Sequence, residues 1–251
     1  MGRIADLLTP EQLRVLDDVA LVSVAVDDDV QFKRVVAELE TRPASEAAAR
    51  RVVEAYRDGE AAPWLTAVLL GTCRHELGYS VAREILLAAP GQLAESYAGP
   101  ALARIRGEQA LEDLSVLMMT APKQVSREGA AYGLEALGGT PAKAAILEAG
   151  LARQIRWQTA GWILGKMDPD EGLLLDLLAS ADSVHLGLGT ELLWSCSRLR
   201  GLPEDEQPAL VRQPSAELLR AVEAVLEDIN VRMSPLKRDD LRAWAAGRRG
   251  G

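Results

Sequence analysis

The chain has 251 residues, 48% hydrophobic and 26% charged, the balance of a folded protein rather than a disordered one. Its formal net charge of −9 argues against a general nucleic-acid surface, because such affinity comes from neutralising phosphates with Lys and Arg. Aromatic residues make up only 4%, with a single Phe, so the interior has to be filled by Ala, Leu, Val and Ile. Cys73 and Cys196 lie far apart and form no disulfide framework, which points to a reducing cytoplasm. The opening MGRIADLLTPEQ carries Asp6 where a signal peptide would be apolar. No stretch approaches the roughly 18 apolar residues of a membrane span.

Taken in chain order, Thr9-Pro10-Glu11 before Leu13 and Leu16 predicts a capped helix start. Ala20–Val26 is short and Val-rich, but no second strand-like run exists to pair with it, so it is read as helix or buried connector. Asp27, Asp28 and Asp29 stand at the predicted N-terminus of a helix through Glu40, where carboxylates complement the helix dipole. A further helix is predicted over Ala44–Asp58. From Pro63 onward helical stretches alternate with Gly and Pro, with predicted ends near Gly71, Gly107, Gly138 and Gly165, since Gly takes the left-handed C-cap conformation cheaply. Second helices are predicted at Ala142–Ala149 and Asp170–Ala179. After Arg200 the acidic Glu204-Asp205-Glu206 forms a longer connector, followed by predicted helices Ser215–Ile229 and Pro235–Ala246 and a frayed tail, Gly247–Gly251. The organisation expected is a helical capping region at 1–62, a repeat array at 63–214, and capping helices with a short basic tail at 215–251.

The array has a register. A shift of 29 residues lays Arg127 on Arg156, Ala131 on Ala160 and Leu134 on Ile163, and a second shift reaches His185, Gly189 and Leu192. Self-similarity at such a period means stacked supersecondary units, each unable to bury its apolar face alone.

These residues resemble a known family. Ser126-Arg127-x-x-Ala130-Ala131-x-Gly133-Leu134 and Ile155-Arg156-x-x-Thr159-Ala160-x-Trp162-Ile163 look like bacterial HEAT-like repeats of the phycobilisome-lyase type, with Asp168 at the family's closing Asp. The match is good over Ser126–Ser183 and poor before Pro63. Lys166 stands at a usually apolar position, and His185 replaces the Arg in the third copy. The resemblance implies an all-α, right-handed α-α superhelix of stacked antiparallel helix pairs, most often a protein-binding scaffold. A minority of such proteins are enzymes, among them bilin lyases and alkyl-base DNA glycosylases, and fold alone does not choose between these.

Each candidate site has a functional and a structural reading. Arg127 and Arg156 recur at one repeat position, where they would bridge acidic residues or orphan helix carbonyls as part of repeat stacking. Trp157, Trp162 and Trp194, with Arg153, Arg156 and Lys166 nearby, form the one aromatic and basic concentration; they either fill core or line a cleft for a flat ligand or an acid. A glycosylase would find carboxylates in Asp168 and Asp170 but lacks a basic groove. Cys73-Arg74-His75-Glu76 lacks the ligands of a closed metal site. Nucleophile elbow, phosphate loop and dinucleotide fingerprint are absent, so neither cofactor nor metal is expected and no catalytic residue is assigned.

Glu148, Asp170, Glu171 and Asp176 fall at second-helix positions expected to line a concave face, with Arg153 and Trp157 beside them. Such a surface would attract a basic protein, or is a solvated face kept charged for solubility. The function expected is therefore a non-enzymatic cytoplasmic scaffold binding another protein there, with a HEAT-like ligand-binding protein or enzyme using the Trp157, Trp162 and Trp194 region as the alternative.

Overall fold

Polar caps start many of the helices. In the computed structural model, which describes residues 7–91, 93–228, 231 and 233–248, Thr9 and Gln12 form a reciprocal capping box. Asp17, Ser45, Asp170, Asp182 and Ser215 each accept a backbone N–H of their own helix's first turn. The chain divides into two units, Met1–Leu137 and Gly138–Gly251. The first contains α1 (Pro10–Arg14), α2 (Asp18–Asp27), α3 (Phe32–Glu40), α4 (Glu46–Arg57), α5 (Pro63–Cys73), α6 (Tyr79–Ala88), α7 (Ala94–Arg106), α8 (Leu111–Thr120) and α9 (Gln124–Leu137). The second contains α10 (Gly139–Leu151), α11 (Trp157–Lys166), α12 (Glu171–Ala179), α13 (Ser183–Ser197), α14 (Ala209–Arg212), α15 (Ala216–Glu227) and α16 (Pro235–Arg248). Among the described residues there is no strand, and the all-α class is as the sequence predicts. Residues 1–6, Ile229 and the last three of the tail lie outside the described residues.

In the first unit α5, α7 and α9 lie side by side, with α6 against α7 and α8 against α9. Short connectors make each neighbouring pair antiparallel, so α7 and α9 run parallel. Their backbones meet without side chains between them. A Cβ built on Gly99 would stand 1.8 Å from the Gly129 carbonyl oxygen, and one on Gly133 2.6 Å from that of Gly99. Around this contact Leu86, Leu102, Leu114 and Leu134 are wholly buried. Toward the N-terminus, α1 and α2 pack on α3, and α2 on α4. There Arg42 donates to the carbonyls of Leu13, Arg14 and Leu16 and pairs with Asp18 and Glu38.

The second unit repeats the scheme with α11 and α13. A Cβ on Gly161 would meet the Leu188 oxygen at 2.8 Å, and one on Gly165 the Leu192 oxygen at 2.5 Å. The Ser195 hydroxyl donates to the Trp162 carbonyl at 2.7 Å across the same seam. α10 packs on α11, α12 on α13, α15 on α12, and α16 on α13 and α15.

Two expectations change. Gly71 and Gly165 stand near the helix ends, as expected, but do not cap them: α5 continues to Cys73, with Arg74 taking the left-handed conformation (φ 52°), and α11 continues to Lys166. Both glycines are spent on close approach, Gly71 with its would-be Cβ 3.0 Å from the Ala101 Cα. The 29-residue register carries the buried Ala131 and Leu134 of α9 onto the buried Ala160 and Ile163 of α11, and Ile163 onto Leu192 of α13, and it lays the end of α9 at Leu137 on the end of α11 at Lys166. The helix starts do not keep the register: Arg127 lies inside the first turn of α9, whereas Arg156 is the N-cap of α11.

Gly99→Ala is expected to lower stability by about 3 kcal/mol through overpacking against backbone that cannot move aside. Gly201→Ala, with nothing within 4 Å of its Cβ, should change it by less than about 0.5 kcal/mol. Urea denaturation followed by circular dichroism measures both.

Candidate functional site

The second unit holds a groove of about 670 Å³. One face of α10 supplies a wall, because Thr140, Lys143, Ala144 and Leu147 recur at helical spacing. Leu164 of α11, Leu173 of α12, Leu192 of α13 and Leu210 of α14 complete an apolar floor. The rim comes from the α11–α12 connector. Asp168 takes the left-handed conformation (φ 54°) there, and its carbonyl accepts the Lys143 ammonium at 2.8 Å. Asp170 caps α12 by accepting the Leu173 N–H at 2.9 Å, and Glu171 follows it into the groove. Three carboxylates therefore face one ammonium, above a leucine floor. Chemically this suits a molecule with an apolar body and a positive end.

The expected acidic face is not one surface. Asp170 and Glu171 line this groove, but Asp176 lines a separate one of about 730 Å³ between α12 and α15, near Glu217 and Arg220. Glu148 is exposed on α10 and lines neither groove. Arg153 is exposed in the turn after α10, in the left-handed conformation. Arg127 donates to the carbonyl of Ala121, the C-cap of α8, at 2.7 Å. Lys143, Leu147 and Leu210 escaped the sequence reading; the helical spacing of 140, 143, 144 and 147 was the available signal.

The tryptophans also separate. Trp162 and Trp194 pair with ring centroids 5.8 Å apart, whereas Trp157 packs on Gly187, whose added Cβ would stand 3.2 Å from its ring. Both members of the pair are half-buried. Cations surround them: Lys166 lies 5.5 Å from the Trp162 centroid, Arg198 5.6 Å from Trp162 and 5.1 Å from Trp194, and Lys237 4.4 Å from Trp194. The Trp194 indole N–H donates to Asp240 at 3.1 Å, and the Lys237 ammonium pairs with the buried Glu191 carboxylate. These contacts dock α16 on α13.

Elsewhere the titratable groups serve structure. The Tyr79 hydroxyl, pushed up to about 12 by burial and by Asp113, donates to Asp113 at 2.6 Å. Arg106 stacks 3.5 Å from the Tyr79 ring centroid and pairs with Glu76. Cys73 and Cys196 are buried free thiols, each pushed up to about 12, chiefly by burial. Among the described residues no group of three or more His, Cys, Asp or Glu is placed to hold a metal ion, and no helix is long and apolar enough to cross a membrane.

Fold and groove together define an all-helical protein of stacked helix pairs with a cavity in its second unit. No protein-family model and no curated protein matches the chain. Among solved structures it is similar to human deoxyhypusine hydroxylase in complex with glycerol, at 16% identity over 96% of this chain and 89% of that one, with a TM-score of 0.37. At that score the likeness carries no activity across. The non-enzymatic scaffold expected from the sequence is corrected on the geometry: the acidic residues on which it leaned are divided between two grooves and an outlying position.

Lys237→Ala, which strands the buried Glu191 carboxylate, should cost about 3 kcal/mol, and Lys237→Met combined with Glu191→Gln should recover most of it, as read by urea denaturation. Both thiols should resist a thiol-reactive dye at pH 8 in the native protein and react once it is unfolded. Their raised values also have a sign. The contribution is fully present below the ordinary thiol value of 9.0 and is lost as pH rises toward about 12, because only the unfolded thiols ionise in that window. Melting temperature measured from pH 8 to 11 should therefore fall.

Proposed function

We propose that this chain is a small-molecule-binding protein of the bacterial HEAT-like kind, and that its second unit takes an amphipathic ligand with a cationic end. The observation that carries the reading is the groove itself, an apolar floor of five leucines under Asp168, Asp170 and Glu171. Its volume falls within the range of roughly 300–1,000 Å³ usual for small-molecule sites. Three carboxylates stand against the single Lys143 ammonium, itself held by the Asp168 backbone carbonyl, so the rim has a negative balance. The HEAT-like assignment is supported by the Arg127-x-x-Ala130-Ala131 and Arg156-x-x-Thr159-Ala160 patterns and by helix pairs stacked within each unit. Two buried free thiols support a reducing, cytoplasmic setting.

The test is calorimetric titration with octylammonium and octanoate, below their micellar concentrations. Octylammonium should bind about tenfold tighter, the equivalent of roughly 1.4 kcal/mol from the rim carboxylates. Ala144→Trp, which fills the groove from an exposed position, should abolish that binding and leave the circular dichroism spectrum unchanged. Equal affinity for the two probes, or binding indifferent to Ala144→Trp, sinks the reading.

A further inference from the structure

Trp162 and Trp194 lie two residues from Leu164 and Leu192, the floor residues that α11 and α13 give to the groove. Two residues turn a helix through about 200°, so the tryptophan pair emerges from the other side of those helices and is a feature of its own. Its chemistry is also of the other sign. In a chain of net charge −9, the ammonium and guanidinium groups of Lys166, Arg198 and Lys237 are gathered over two half-buried indoles.

These cations are not equivalent. Lys237 is committed to Glu191, and Asp240 is taken by the Trp194 indole N–H. Arg198 is different: exposed at the C-cap of α13, it is held over both rings, 5.1 and 5.6 Å from their centroids. Among the described residues no carboxylate or carbonyl accepts from it. A guanidinium drawn to aromatic faces by cation–π attraction leaves its in-plane N–H fork open to a bidentate acceptor. Beside it the two indoles offer apolar area at an angle of 47° to one another.

We infer that the Trp162–Trp194 pair with Arg198 is a binding site for a flat, ring-bearing anion, an aromatic carboxylate or a ring carrying a phosphate, whose charged end sits in the Arg198 fork while its ring lies against the indoles. The site is independent of the groove and takes ligands of opposite charge. Neither half suffices alone: an anion without a ring leaves the indoles unused, and a ring without the anion leaves the fork empty.

The experiment titrates the full chain with 1-naphthoate, with 1-naphthylmethylammonium and with inorganic phosphate, read by tryptophan fluorescence and calorimetry. Naphthoate should bind and perturb the emission, and each of the other two should bind at least about tenfold more weakly. Arg198→Gln, an exposed change, should weaken naphthoate about tenfold at an unchanged melting temperature, and Arg212→Gln should leave it as it is. Ala144→Trp should also leave naphthoate binding intact, whichever way the groove reading falls. Naphthoate affinity that survives Arg198→Gln overturns the proposal, as does equal binding of the ammonium probe or of phosphate.

Discussion

Backbone touching backbone is the constraint on which both units depend. Where α7 meets α9, and again where α11 meets α13, glycine removes the side chain that would hold two parallel helices apart. Dispersion and burial at such a seam are dense, and the approach is possible only at those positions. The antiparallel partners then follow: once α11 and α13 are pressed together, α10 and α12 are brought to one side of them, and the gap left between α10, α12 and α14 is the groove. A chain with so few aromatics builds its interior in this way because Ala and Gly allow the backbones to do the filling.

The sequence was legible wherever local chemistry decides. Caps at Thr9, Asp170 and Ser215 and left-handed glycines at 107 and 138 act within a few residues, and the predicted helices fall where those signals stand. It misled where one residue type serves two purposes. Gly71 and Gly165 carry the composition of a C-cap but are used for approach, a distinction that depends on Ala101 and Leu192, 27 or more residues away in the chain. The repeat was half legible for the same reason. Buried residues such as Leu134, Ile163 and Leu192 keep the period, whereas the helix starts do not, Arg127 falling in the first turn of α9 and Arg156 at the N-cap of α11.

The groove was less legible than the helices because its parts come from five helices and a connector. The acidic residues were visible, but helical phase alone did not say which share a cavity, and Asp176 proved to face α15 instead. The tryptophans were singled out as one region. Only two of them meet, because Trp157 at the start of α11 is turned onto Gly187. The aromatic pair belongs with α16 as much as with the repeat, through Asp240 and Lys237, the first of these contacts spanning 46 residues of sequence.

The Arg42 cluster holds its segment by a different means from the glycine seams. Of the five residues of α1 only Leu13 is buried, so that helix has little apolar area to hold it in place. One guanidinium, itself largely shielded from solvent, ties the Leu13, Arg14 and Leu16 carbonyls to Asp18 and Glu38. Directed polar contacts therefore hold α1, where the glycine seams and leucine core are held by close packing. Salt screens such shielded pairs far less than exposed ones, so the attachment of α1 should persist at ionic strengths that dissolve surface ion pairs.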